Sequence, residues 1–259
     1  MIDSHMHLEQ GDYDKDRDEL VKELKKELKA VITVCADIGD WEKTRSLVEK
    51  YKEFVFATAA IHPQHIGKVK KKEIEDFIDL LREEAKKGNL VGIGECGLDY
   101  NWVKDEKLRE KQKEMFIQFI KLAKEVKLPL VVHSWNSDEE VIKILEDEGM
   151  KGKKVLLHQF EGKRLVEKIK ENRWFVSIGP GVQRSKNRRK LARDLPLNQI
   201  TLETDSPWFG DGKRGTPLNV KKAAEKIAEI KKISVKEVEE QTDLNSIKLF
   251  NLSKLFKKV

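Results

Sequence analysis

MIDSHMHLE, residues 1–9, closes a short apolar run with two histidines one residue apart, and charged sequence of helical spacing follows it. Residues two apart on a strand share a face, so His5 and His7 project side by side with Asp3 behind them. That pair can chelate a cation. His-x-His also occurs on exposed edges, so a metal site requires further ligands from elsewhere in the chain.

The opening unit recurs. Apolar, β-branched segments follow at AVITVC (30–35), FVFATAAI (54–61), LVGIGECG (90–97), LPLVVHS (128–134), KVLLHQF (154–160), RWFVSIG (173–179) and ITLETDSP (200–207). Between them lie amphipathic charged stretches such as DELVKELKKELK and KKEIEDFIDLLREEAKK, whose period is helical. Strand then helix, eight times over, predicts an α/β protein of the (β/α)8 TIM-barrel class, and a length of 259 residues suits it. No Pro/Gly/Ser linker divides the chain, so residues 1–259 read as one domain. The tail after about residue 217 reads as two or three extra helices packed on the barrel wall.

Lysine and arginine number 52 and aspartate and glutamate 46, a net charge of +6. A mildly basic surface favours an anionic substrate. The 38% charged content resembles the charge-rich surfaces of proteins from hot environments. Cys35 and Cys96 form neither a disulfide framework nor a C-x-x-C site, which fits a reducing cytoplasm. No stretch approaches the roughly 18 apolar residues of a membrane span, and the N-terminus lacks a signal-peptide pattern. A cytoplasmic protein with no membrane association and no evident obligate protein partner is expected.

The polar residues then fall into place along the strands. His5 and His7 close strand 1, Glu95 lies near the end of strand 4, His133 ends strand 5, His158 ends strand 6 and Asp205 ends strand 8. All lie toward the C-terminal mouth, where barrel enzymes assemble their sites. Any one of these histidines alone reads equally as a hydrogen-bonded core residue; convergence on one mouth favours ligands. One catalytic ion needs roughly three protein ligands plus water, so four imidazoles and two carboxylates suit two divalent metal ions holding a hydroxide between them. Glu95 is the natural bridge, having two oxygens and a strand between the other ligands. Asp205 can ligate one ion and accept the proton of the attacking water, which makes Asp205 and Glu95 the catalytic candidates.

These residues carry a family resemblance. IDSHMHL (2–8), AIHPQHI (60–66), IGECGLDY (93–100), PLVVHS (129–134), LLHQFEG (156–162), VSIGPG (176–181), LETDSPW (202–208) and LNSIKLFNL (244–252) run in order along the chain. Together they resemble the TatD-type metal-dependent hydrolases, a deoxyribonuclease family of the amidohydrolase superfamily. The resemblance implies a barrel with one ion held mainly by His5, His7 and Asp205 and a second by His133 and His158, bridged by Glu95 without a modified lysine. It implies hydrolysis of phosphodiester bonds, with DNA trimmed from its ends as substrate. Two departures sit at the mouth. The segment after His158 is Gln159, Phe160, Glu161 and Gly162 where the family usually has Cys, Phe, Ser and Gly, and Trp135 replaces a common arginine; both weaken contact with phosphate. The alternatives are a metal-dependent amide, ester or lactone hydrolase acting on a small molecule, and a barrel that has lost catalysis and binds partners or nucleic acid. Mixed imidazole and carboxylate ligands suit Zn, Mn, Co or Ni, and Mg where phosphate adds oxygens.

Substrate contacts are expected from His62 and His65, which follow strand 3 over the same mouth, and from Arg184 in the basic stretch QRSKNRRK (183–190). Trp135 and Trp208 follow ligand strands and can stack on a nucleobase. Asp3 and Glu203 each lie two residues before a ligand and face the barrel interior, where a buried carboxylate needs a partner. With Asp99 from the loop after strand 4, they are expected to orient ligand imidazoles. Cys96 points away from the site and packs as a small hydrophobe.

Overall fold

Parallel strands need crossovers, and the charged amphipathic stretches supply them. In the computed structural model, which describes residues 1–210 and 212–254, the strands are β1 (Ile2–Met6), β2 (Ala30–Cys35), β3 (Val55–Ala59), β4 (Gly92–Asp99), β5 (Leu130–Trp135), β6 (Val155–Leu157), β7 (Phe175–Ile178) and β8 (Ile200–Leu202). The helices are α1 (Arg17–Glu27), α2 (Trp41–Lys50), α3 (Lys71–Lys87), α4 (Glu106–Val126), α5 (Asp138–Asp147), α6 (Val166–Asn172), α7 (Lys186–Asp194), α8 (Val220–Lys231) and α9 (Val235–Leu249). The strands pair in parallel in the order β1 to β8. Past the end of β8 the ring is drawn together by backbone bonds from Asp205 N to His5 O, 2.9 Å, and from His7 N to Ser206 O, 2.8 Å. The chain forms the expected TIM barrel.

Several strands are shorter than the apolar segments suggest. His7 lies one residue past β1, His158 one past β6 and Asp205 three past β8. After β6 and β8 the backbone leaves the extended conformation near these points: Asp205 takes a left-handed φ of 57° and Gln159 one of 47°. The apolar pattern marks burial, whereas the ladder stops where the backbone bends. Asp99, expected on a loop, is the last residue of β4.

Glu95 owes its position to its glycine neighbours. Pairing between β4 and β5 shifts register between Ile93 and Cys96, the kind of irregularity that re-aims a side chain. Gly94 and Gly97 take φ of 139° and 141°, and a Cβ on either would fall on the carbonyl oxygen of Val131 or His133. Only glycine permits this approach.

The tail packs as α8 and α9 against the barrel, with α9 capped by Ser234 and Glu237. Its end does more than cover the wall. Leu249, Phe250 and Leu252 join Ile32, Val131, Leu156 and Phe175 in an apolar cluster separate from the main one. Asn245 donates to the carbonyls of Ile200, 2.6 Å, and Leu197, 2.8 Å. The last residues of the expected tail and domain, 255–259, lie outside the described residues. Among the described residues no helix is long and apolar enough to cross a membrane.

Candidate metal centre

Glu95 is buried at the mouth and faces five imidazoles. Its Oε1 lies 2.8 Å from His133 Nδ1, 3.4 Å from His62 Nε2 and 3.7 Å from His158 Nε2. Its Oε2 lies 3.4 Å from His5 Nε2 and 3.9 Å from His7 Nε2. Asp205 stands opposite, with Oδ1 3.6 Å from His5 Nε2 and 3.5 Å from His7 Nε2, and Oδ2 3.8 Å from His158 Nε2. Burial opposes charge on Glu95, yet His62, His158 and His5 around it hold its carboxyl well below the usual range. The balance is the same in direction for Asp205.

Three groups of donors lie close enough to share an ion: His5, His7 and Asp205; His5, Glu95 and His158; and His62, Glu95 and His133. His5 and His158 stack at 3.5 Å between ring centroids, whereas His133 and His158 stand 6.5 Å apart. Glu95 therefore links His158 on one side to His133 on the other. His62, expected only as a substrate contact, belongs to the third group.

His5 tests whether the donors fit a cation. The residue is fully buried, and neither ring nitrogen has a hydrogen-bond partner. Buried polar atoms are almost always bonded, and a ring that faces two carboxylates at 3.4 and 3.6 Å without bonding to either suits a ligand. The donor set, imidazole nitrogens and carboxylate oxygens, is that of first-row divalent metals.

Carboxylates behind the ring set the tautomers. Glu203 Oε2 lies 2.6 Å from His158 Nδ1, and its other oxygen accepts the Gln159 N–H at 3.0 Å. Asp99 Oδ2 lies 3.2 Å from His133 Nε2. Asp3 differs from expectation: it touches no imidazole ring. Its oxygens accept from the backbone N–H of His5 and Thr204 and from the Thr204 hydroxyl, so it ties β1 to the segment after β8, and burial pushes its carboxyl up. The partner of His7 is Glu9, whose Oε1 lies 3.0 Å from Nδ1 while Thr33 Oγ1 donates to Oε2 at 2.8 Å. Sequence reading missed Glu9, although Asp3, His5, His7 and Glu9 continue a period of two.

The other expected contacts spread along the rim. His62 accepts the Gln64 N–H on Nδ1 at 3.2 Å, and burial and His133 push its pKa down to about 4. His65 turns away to Asp37, 3.4 Å. Trp208 lies edge-on to His7 at 4.5 Å, and Trp135 meets Trp102 at 6.3 Å. In the basic stretch, Arg188 pairs with Glu161 at 2.9 Å, Arg189 bonds the Gln183 carbonyl and Lys190 pairs with Asp194. Arg184 is exposed and lines an outer cavity with Lys222. Cys96 is buried in the main apolar cluster.

Known proteins resemble this chain in sequence and fold. A family model described as TatD related DNase matches residues 2–251. The chain is 36% identical to the human deoxyribonuclease TATDN3, covering 96% of this chain and 94% of that one. It is 32% identical to YabD of Bacillus subtilis, described as an uncharacterized metal-dependent hydrolase, covering 98% of this chain and all of that one (100%). Among solved structures, the TatD homologue YjjV of Escherichia coli superposes with a TM-score of 0.86 at 22% identity, covering 97% and 98% of the two chains.

Proposed function

Because the chain belongs to the TatD related DNase family, we propose that it is a divalent-metal-dependent hydrolase that cleaves phosphodiester bonds in DNA, working from strand ends with two ions. The convergence of five imidazoles and Asp205 around Glu95 carries this reading. His5, His7 and Asp205 would hold one ion and His133 and His158 the other, with Glu95 between them. Ions there supply Lewis-acid polarisation of the scissile phosphate and acidify a water.

The chain's own residues do the rest. Glu9 and Glu203 hold Nδ1 of His7 and His158, leaving each Nε2 to face Glu95 and Asp205. Asp205, kept charged by its imidazole neighbours, is placed to accept the proton released as water attacks. His62 is neutral with Nδ1 occupied, so Nε2 carries its proton and can donate to a phosphate oxygen. Trp208, Trp135, Arg184 and His65 would contact substrate from the rim. One domain and a cytoplasmic location belong to the same reading, supported by the single eight-stranded sheet and the unpaired, buried Cys35 and Cys96.

The test pairs elemental analysis of the purified protein with hydrolysis of single-stranded oligonucleotides after chelation and metal add-back, beside a panel of small esters, lactones and amides. Oligonucleotide cleavage lost on chelation and restored by metal is expected. Cleavage indifferent to chelation, or turnover confined to the small-molecule panel, overturns the proposal.

A further inference from the structure

Exposed aromatics gather at the mouth. Of the large hydrophobic side chains exposed among the described residues, Trp102 follows β4, Trp135 ends β5, and Trp208 and Phe209 lie on the segment after β8, at 65%, 47%, 48% and 49% exposure. Leaving four large rings in water on the rim of a polar site costs hydrophobic free energy and calls for an occupant.

A cavity of about 360 Å³ opens between two of them, Trp135 and Phe209, and reaches His133 and His158. The Trp135 plane is braced at 89° by Trp102. Phe209 is braced by the Arg188 guanidinium, 5.7 Å from its centroid, which Glu161 holds in turn. Gln159 also lines this cavity, its backbone fixed by the Glu203 carboxylate that holds His158. Both the oxygen and the nitrogen of its carboxamide are buried without a hydrogen-bond partner. A carboxamide offers a donor and an acceptor side by side, as do the edges of nucleobases. Beyond Phe209 a second cavity shares Glu161 and Arg188 and adds Arg184 and Lys222. The cavity nearest the ligands thus carries the two rings and the amide, with Arg188 held by Glu161, and Arg184 and Lys222, which suit a phosphate backbone, stand one step further out.

We propose that the cavity between Trp135 and Phe209 binds a nucleobase of the substrate, stacked on these rings and hydrogen-bonded by the Gln159 carboxamide, beside the bond being hydrolysed. The inference rests on the phosphodiesterase reading above. It assigns base recognition to a site that touches the ligands directly, so the nucleotide at the cleaved bond must be unstacked from its neighbours to enter.

Two phosphodiesters with one leaving group test it on the metal-loaded protein: the p-nitrophenyl ester of thymidine 5′-phosphate and ethyl p-nitrophenyl phosphate. Stacking predicts a KM about tenfold lower for the thymidine ester, with kcat comparable. Trp135→Ala should shrink that preference below about twofold, and Trp135→Phe should keep most of it. Gln159→Leu should flatten the ranking of kcat/KM among the four nucleoside esters. Hydrolysis of both esters with equal KM, or a preference that survives Trp135→Ala, overturns the base site while leaving the phosphodiesterase reading standing. Hydrolysis of neither ester overturns both.

Discussion

The carboxylate of Glu9 lies 3.0 Å from Nδ1 of His7, two residues back along the chain, and is itself held by the Thr33 hydroxyl. This buried relay fixes which nitrogen of His7 faces the other ligands. Outer carboxylates of this kind are typically worth about 10- to 100-fold in metal affinity. Glu9→Gln should therefore weaken metal binding by about that factor, measured by competition with a chromophoric chelator, while circular dichroism stays unchanged. Unaltered affinity would remove Glu9 from the site.

Asp205 faces three imidazoles and is held charged among them. Asp205→Asn keeps the shape and loses the proton acceptor and one anionic ligand. Turnover on single-stranded oligonucleotides should fall by about 10²-fold or more with saturating metal. A variant with wild-type kcat would leave Asp205 without its proposed role.

Metal loading should release protons. Burial pushes the His133 imidazole down, but its hydrogen bonds to Asp99 and Glu95 outweigh that and hold its pKa at about 9. In chelated protein the charged ring contributes stability that is fully present below the unfolded value of about 6.5 and is lost as pH rises through about 9. Ligation needs the neutral ring. Apparent affinity should climb with pH across that interval, and calorimetry in buffers of different ionisation heat should register proton release on loading near neutral pH, His133 among the groups that give up a proton. Binding with no proton release is the contrary result.

Gly97 packs so closely on the His133 carbonyl that no side chain fits, at a φ of 141°. Gly97→Ala should cost about 3 kcal/mol or more in urea unfolding, since a strained backbone and a steric clash act together. Gly149 provides the contrast: its φ is 69° with nothing near its missing Cβ, so Gly149→Ala should cost only about 1 kcal/mol. Equal losses would deny the close approach of β4 and β5.

The basic rim invites a salt test. If Arg184 contacts the phosphate backbone, Arg184→Ala should lower the slope of log K against log salt for single strands by about 0.7. An unchanged slope places Arg184 outside the bound strand.

The alternation of apolar and charged segments was enough to read the barrel, because a parallel strand buried on both faces must be apolar and its crossover amphipathic. The ligand candidates were also legible, since barrel topology sends every strand end to one mouth, wherever in the chain that strand lies. What the chain's one-dimensional order did not reveal depends on distances between strands. Asp3 and Glu203 occupy equivalent positions in sequence, two residues before a ligand. Yet Glu203 reaches the ring of His158, whereas Asp3 is taken up by Thr204 in closing the barrel. His62 joins Glu95 and His133, while His65, three residues on, faces Asp37. Periodicity determined the fold, and the residue types at the strand ends, with the family resemblance they carry, the kind of chemistry. Tertiary structure alone decided which nitrogen meets which oxygen, and left the Gln159 carboxamide buried without a partner, because such pairings turn on ångström differences in backbone path that no residue spacing encodes.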